Sequence, residues 1–242
     1  AKISEELPPL MVESEADPSV FARNKEGLME SLGTFLGQEM VRFNKLLSVM
    51  KNSLEELRTA VKGIVVMSDE LDMMYSCMLN NKVPGNWEKV AYPSLRPLAS
   101  WVNDLKERVA FLRKWLAKGK PEAYWLSSFF FPQGFLTAVL QNFSRKYQIP
   151  IDILNFSFDF QPFYDITEIT EVPDDGCFIY GLYMEGCRWD MQSLQLEDSH
   201  VGEMYANAPA IFFSPAENYT PDPEEYAMPV YKTSVRAGTL ST

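Results

Sequence analysis

His200 is the only histidine in this 242-residue sequence and the side chain best suited to act as a general base near neutral pH. It closely follows two acidic residues, Glu197 and Asp198. A serine or cysteine hydrolase would pair its histidine with a nucleophile in a recognisable motif such as GxSxG, and no such motif accompanies His200. We therefore interpret His200 as a solvated loop residue. A hydrolase that uses it is the least favoured of three hypotheses about function.

Two acidic pairs, Asp174-Asp175 and Glu224-Glu225, could also suggest carboxylate chemistry. Both pairs lie in proline-flanked loops, and adjacent residues do not face each other across a bond that is to be cleaved. We assign them to turns and to solvated surface. Arg188 and Asp190 flank Trp189, and residues two apart on a strand share one face, which favours a local salt bridge over a recognition site.

Cofactor and metal sites would leave signatures that the sequence does not contain. The only Gly-Lys pair, Gly119-Lys120, is followed by proline and lacks the earlier glycine of a phosphate-binding loop. A zinc site needs about four clustered cysteine or histidine ligands. The three cysteines are sparse and predict free thiols (Cys77, Cys177 and Cys187), although a bridge between the last two is left open if they lie on neighbouring strands. We predict no catalytic, cofactor-binding or metal site in this sequence.

Charge and composition narrow the class of protein. The formal net charge of −11 repels phosphates, which predicts binding neither to nucleic acid nor to an anionic membrane surface. No stretch approaches 18 apolar residues without a charge, and the N-terminus lacks the features of a secretory signal, so no membrane span is predicted. A hydrophobic fraction of 46% fits a globular protein with a real core.

The first part of the sequence has a helical pattern after a linker rich in proline and acidic residues. Apolar residues from Leu28 to Ile64 recur at steps of three and four, which predicts one helix of roughly 35 to 40 residues and about 55 Å. A break at Gly33 or Gly37 is plausible, because glycine costs about 1 kcal/mol inside a helix. Such a stripe is also typical of an ordinary core helix. The length nevertheless favours packing against a neighbouring module, with six candidate residues for that contact: Leu36, Met40, Phe43, Leu47, Met50 and Leu54.

Three more helices are predicted. The second begins after Ser68 as its N-cap and turns Leu71, Met74 and Met78 inward. The third covers residues 98–116 with Gly119 as its C-cap, and the fourth begins at Pro132 and ends near residue 147.

After residue 150 the apolar period changes to two. Residues 154–160 predict a half-buried strand, and residues 177–184 a second strand. A hairpin-like turn at Glu185-Gly186 precedes a third strand at Cys187–Asp190. Residues 210–213 and 228–233 are further strand candidates. Helices followed by strands predict an α+β fold, with a linker over 1–24, a helical subdomain over 25–148 and a strand subdomain over 149–242.

Six strings in the same order, from about residue 38 to the end, resemble the C-terminal region of dynein heavy chains. They are QEMVRFN (38–44), KGIVVMS (62–68), KVP with a tryptophan and YPSLRPL (82–98), WLSSFFFPQ with FLT (125–137), YGL with EGCRWD (180–190), and PVYKT with RAGTLST (229–242). The first 37 residues match less well. The family usually continues with further strands beyond the last string, so the final subdomain is expected to be truncated.

The resemblance implies an N-terminal helical subdomain with one long helix, then a small antiparallel, partly open β-barrel. In that family the region lies on one face of the AAA+ ring of the same heavy chain, and residues 1–24 would belong to the end of the last AAA+ module. A non-catalytic role is implied, in which the domain braces the ring and modulates ATP-driven movement along microtubules. ATP and Mg would bind elsewhere in the parent polypeptide, and microtubules would be contacted only indirectly.

The short junction between the first strand and Pro173 is more similar to axonemal than to cytoplasmic forms of the family. This similarity implies a place in the cytoskeleton of cilia and flagella, together with other dynein complex subunits. The main alternative is an independent α+β protein-interaction module whose open sheet edge accepts a strand from a partner.

Overall fold

The computed structural model describes residues 2–25 and 27–220, together with the backbone of two short strands at 230–232 and 239–241. The protein divides into two compact units, which we call the helical unit and the strand unit. The helical unit consists of the residues up to Pro121 and of Ser127–Asn142. The strand unit consists of Glu122–Leu126 and of the residues from Phe143 onward. The predicted division at residues 24 and 148 concerns domains of a larger protein and stays a prediction.

The order of elements is that of an α+β protein, as the sequence predicts. The helices in the described residues are α1 (Lys2–Glu6), α2 (Ser31–Val61), α3 (Asp69–Leu79), α4 (Gly85–Glu88), α5 (Leu98–Lys118) and α6 (Pro132–Tyr147). The strands in the same residues are β1 (Ala123–Trp125), β2 (Leu154–Phe160), β3 (Cys177–Tyr180), β4 (Tyr183–Glu185), β5 (Cys187–Asp190), β6 (Gln195–Asp198), β7 (Tyr205–Asn207), β8 (Ile211–Glu217), β9 (Val230–Lys232) and β10 (Thr239–Ser241). Only β1 lies among the helices in the sequence.

α2 is one unbroken helix of 31 residues, about 46 Å long at 1.5 Å per residue. It is shorter than predicted, and the break proposed at Gly33 or Gly37 is wrong. Its first turn is capped from outside the helix, because the Ser31 amide donates to Asn142 Oδ1 at 2.9 Å. Gly33 is needed for close packing, since the helix runs directly beside the carbonyl of Val20 there.

The caps of the other helices agree with the prediction. Ser68 Oγ accepts a hydrogen bond from the amide of Leu71 at 3.3 Å and so begins α3. Gly119 has a φ of 86° and ends α5, and Pro132 is the first residue of α6. The inner face of α3 is narrower than predicted, because only Met74 among its residues is buried.

Aromatic side chains fill the core of the helical unit around α2. Phe35 contacts Phe129 and Phe135 edge to face, with centroid distances of 4.9 and 5.6 Å. Phe43 meets Phe130 in the same geometry at 4.7 Å. Such pairs contribute about 0.5–1.5 kcal/mol beyond the area they bury. Three tryptophans from neighbouring elements complete this core: Trp87, Trp101 and Trp115.

The strand unit is organised around a four-stranded sheet in the order β1-β3-β8-β2. β1 is parallel to β3, and the other two pairs are antiparallel. The remaining described strands form three two-stranded pairs, so the described sheets are open and no closed barrel is present among them. Cys177 and Ile179 point from β3 into the core, whereas Phe158 is exposed because β2 lies at an edge of the sheet.

Three strand predictions need correction. The predicted strand over 177–184 is divided, because Gly181 adopts a φ of 75° against the indole of Trp125, where any Cβ would collide. The predicted hairpin at Glu185-Gly186 does not form. β4 pairs with β7, and β5 pairs with β6. The candidate at 228–233 contains β9, and its other residues lie outside the described part of the protein.

The two glycines of α2 provide a matched test of packing. We expect Gly33→Ala to lower the free energy of unfolding by about 1–3 kcal/mol, because the new methyl group overlaps the Val20 carbonyl. Gly37→Ala meets only the Phe21 ring at 3.8 Å and should raise it by up to about 1 kcal/mol through better helix propensity. Urea unfolding measures both. Equal effects of the two substitutions would contradict this packing.

Candidate docking surfaces

The residues that could suggest catalysis do not assemble into a site in the described part of the protein. His200 is exposed in the loop after β6, where its carbonyl accepts a turn hydrogen bond from Glu203 at 3.0 Å. Asp175 accepts from Lys146 at 2.9 Å and from the Tyr147 hydroxyl at 2.6 Å, so it holds the last turn of α6. Of the two acidic pairs, Glu224-Glu225 lies outside the described residues.

Arg188 and Asp190 form the predicted local salt bridge, at 3.4 Å on β5. Arg188 also pairs with Glu197 across the β5–β6 pair. Backbone hydrogen bonds from Ser193 and Gln192, together with Arg188, lower the pKa of Asp190. This carboxylate therefore holds the turn after β5 together.

The three cysteines are free thiols, and Cys177 is buried on β3. Burial raises the pKa of the Cys177 thiol well above its ordinary value, so the group is unreactive as a nucleophile. Among the described residues there is no group of three or more potential metal ligands. In the same part of the protein, no helix combines the length and apolar character that crossing a membrane requires.

The apolar stripe of α2 is buried within the helical unit itself. All six residues proposed to pack against a neighbouring module are core residues here: Leu36, Met40, Phe43, Leu47, Met50 and Leu54. Side chains already covered by their own unit offer no free surface to another module. The structure contains no other module, so packing against one stays a prediction, and a contact surface has to be sought among exposed residues.

Glu39 is a buried carboxylate that the sequence pattern placed on the solvated face of α2. Its exposure is 0%, and it accepts hydrogen bonds from the Phe130 amide and from Arg42, both at 2.7 Å. Burial raises the pKa of Glu39, while these hydrogen bonds act in the opposite direction. Glu39 thus fixes the Phe129–Phe131 segment to the middle of α2. The sequence gives no sign of this role, because the partner amide is 91 residues away.

A second buried carboxylate, Asp104 on α5, joins several segments. Arg108 Nε donates to Asp104 Oδ2 at 2.7 Å, and the same guanidinium lies 4.0 Å from the Tyr92 ring centroid and donates to the Ser127 carbonyl. Burial, and then the charge of Asp104, raise the pKa of Tyr92, so this phenol stays protonated at physiological pH. The cluster ties the proline-rich link to α5.

The N-terminal segment is fastened to the helical unit. The side chain of Asn44 makes two hydrogen bonds to the backbone of Met11, accepting from its amide at 2.9 Å and donating to its carbonyl at 2.7 Å. Arg113 on α5 donates to the carbonyls of Pro9 and Leu10 and pairs with Glu15 at 3.1 Å. The region predicted to be a linker is therefore packed onto α2 and α5.

One run of exposed apolar side chains follows the end of α2. We call it the α2–α3 patch, and it consists of Val61, Ile64, Val65, Val66, Met67 and Met73. Apolar residues of this size are more often scattered singly over a surface, whereas contiguous patches mark interaction sites. Sequence analysis had assigned Ile64 to the buried stripe of the helix.

Comparison with known proteins defines the class to which this two-unit α+β protein belongs. Residues 1–242 match the family model of the C-terminal domain of dynein heavy chains. Dynein axonemal heavy chain 6 of Homo sapiens is 43% identical over 100% of this sequence, and dynein axonemal heavy chain 1 of Rattus norvegicus is 48% identical over 88%. Dynein axonemal heavy chain 3 of Homo sapiens is 45% identical over 88% of the sequence.

The chain therefore belongs to the family of C-terminal domains of dynein heavy chains, as the resemblance predicted. These relatives are axonemal, which assigns the protein to the cytoskeleton of cilia and flagella. The sequence spans only 5–6% of the length of these relatives.

Glu39 should give the stability a pH dependence with a definite sign. The folded protein holds this proton to a higher pH than the unfolded protein. The contribution of Glu39 is therefore fully present below its ordinary pKa of about 4.3 and is lost as the pH rises through the raised value. Unfolding free energies of the unaltered protein and of Glu39→Gln should be measured over a pH series. We expect the difference between them to fall as the pH rises; a difference that grows with pH would contradict this assignment.

The Asp104 cluster predicts a large effect of a single truncation. Asp104→Ala leaves Arg108 buried without its carboxylate and should cost about 3–5 kcal/mol of stability. Glu55→Ala is the control, because the Glu55–Arg58 pair is exposed and 3.7 Å apart, so its loss should change stability by less than about 1 kcal/mol. Thermal or urea unfolding compares the two, and similar losses would show that Asp104 is not a buried anchor.

Proposed function

We propose that this protein is the non-catalytic C-terminal domain of an axonemal dynein heavy chain, which braces the AAA+ motor ring and modulates its ATP-driven movement along microtubules. Membership of the family supports this assignment. The proposed partners are the ring of the same heavy chain and other dynein complex subunits. ATP and Mg would be bound elsewhere in the heavy chain.

The observation that carries the proposal is the attachment of the N-terminal segment. A C-terminal domain is joined to the rest of its polypeptide through its first residues. Here these residues are held by Asn44 and Arg113, and Met11 and Val20 are buried in the helical unit. A force that enters along the backbone therefore acts on α2 and α5 directly. A flexible linker would absorb the same force without transmitting it.

The helical unit supplies the stiffness that a brace requires. Each buried Leu, Met or Phe of the α2 stripe contributes about 1.5–3 kcal/mol before entropy offsets it. The six buried stripe residues support this function from inside the unit, and contact with the ring is left to outer surfaces. The net charge of −11 disfavours direct contact with the acidic surface of a microtubule, so an effect on motility would be indirect.

The independent interaction module is kept as a second candidate because of one observation. β2 has β8 as its only neighbour among the described strands and forms an edge of the four-stranded sheet. Such an edge can accept a strand from a partner. A peptide that binds along β2 and leaves motor activity unchanged would favour this module over the brace.

Asn44 allows a direct test in the full heavy chain. Asn44→Ala removes both bonds to Met11 and should free the N-terminal segment at a cost of about 1–3 kcal/mol. Asn52→Ala is the control, since Asn52 is exposed on the same helix. We expect faster proteolysis within residues 7–22, together with altered microtubule-stimulated ATPase activity and gliding velocity, only for Asn44→Ala. Faster proteolysis with unchanged ATPase and gliding would contradict the brace.

A further inference from the structure

We propose that the α2–α3 patch is a docking surface for an apolar surface of the preceding part of the same heavy chain. This inference rests on the proposed function in one respect, that the protein acts as a domain of a complete heavy chain. It adds the place of contact, which neither the family match nor the buried stripe of α2 provides.

The backbone of the patch is fixed at both ends. After α2, the amide of Gly63 donates to the Ala60 carbonyl at 2.9 Å, and the amide of Ile64 donates to the Thr59 carbonyl at 3.1 Å. With Gly63 at a φ of 72°, this is the Schellman arrangement of a helix C-terminus. Ser68 then caps α3. The apolar residues between these caps are therefore held in place on an ordered turn.

The side chains of this turn face away from the core. A Schellman motif is frequently accompanied by a hydrophobic contact from the residue after its glycine back onto the helix. Here that residue, Ile64, is exposed, while Ala60 and Met74 are the nearby residues that face inward. Val66 is 87% exposed and Met73 is 62% exposed. The local structure thus presents apolar side chains that its own motif would usually cover.

The occupant is best supplied by the same polypeptide. The curated relatives carry this domain as 5–6% of their length, so nearly all of the heavy chain lies ahead of it. A surface joined to the patch by a covalent linkage binds at a high effective concentration, and a modest apolar contact is then sufficient. A partner in trans has no such advantage.

Charges around the patch also restrict its partner. Arg58 and Lys62 lie at the α2 side, and three acidic residues lie in the first turn of α3: Asp69, Glu70 and Asp72. An anionic membrane would be repelled by the second group. An apolar protein surface with a rim of mixed charge fits both groups.

Methionine oxidation in the intact heavy chain tests whether the patch is covered. Met73 and Met204 have similar exposures in this structure, 62% and 68%, so they should oxidise at similar rates if neither is covered. With mild peroxide and peptide mass spectrometry, we expect Met73 to oxidise about tenfold more slowly than Met204. Val66→Asp changes an exposed side chain and should bring Met73 to the rate of Met204. Equal rates in the unaltered heavy chain would overturn the proposal.

A photo-crosslinking residue at the Val66 position identifies the occupant. Val41 is the control position, because it is exposed on α2 about 30 Å before Val61 at 1.5 Å per residue. Crosslinks from position 66, and none from position 41, to the preceding part of the same polypeptide are expected. Crosslinks only to a second heavy chain or to another subunit would overturn the proposal, as would the absence of any crosslink.

The two proposals fail in different ways. If Met73 is protected and position 66 crosslinks within the heavy chain, the docking surface stands even when Asn44→Ala leaves ATPase and gliding unchanged. If Asn44→Ala alters motility while Met73 is unprotected, the brace stands and the docking surface does not.

Discussion

The burial of α2 along one face is the interaction on which the rest of the helical unit depends. A helix of this length is not stable through propensity alone, and two glycines in its first two turns weaken it further. Its stability comes from aromatic side chains that arrive from distant parts of the sequence and pack on Phe35 and Phe43. The loops between the helices are consequently fixed wherever they carry one of these rings.

Buried polar groups then determine how those loops lie on the helices. Glu39 holds the amide of Phe130, and Ser53 accepts from the indole of Trp87 at 2.8 Å. Such groups are costly to bury without partners, so each permits only the arrangement in which its partner is present. Asp104 and Arg108 have the same effect on the proline-rich link. Apolar packing therefore supplies the stability, and these polar contacts select one packing.

Local signals in the sequence predict the helices well and the strands less well. Ser68, Gly119 and Pro132 act through their nearest neighbours, so their positions at helix ends could be inferred from the sequence alone. The pairing of β4 with β7 joins residues about 20 positions apart, and the glycine that separates β3 from β4 is explained only by the Trp125 ring. The burial of Glu39 could not be inferred for the same reason, since its partner is distant in the sequence. The family resemblance identified the protein because it depends on the order of strings and not on these contacts.

The two apolar surfaces of the α2 region have different physical meanings. Residues such as Phe43 and Met50 are required for the unit to fold, and their burial leaves them unavailable to any other molecule. Residues such as Val65 and Val66 contribute little to that core, since they remain exposed on a turn whose backbone is already fixed. In a free-standing protein, polar residues at these positions would satisfy the turn equally well and would lower the risk of aggregation. Their apolar character is understandable if another surface covers them, and this argues for a larger assembly independently of the length of the relatives.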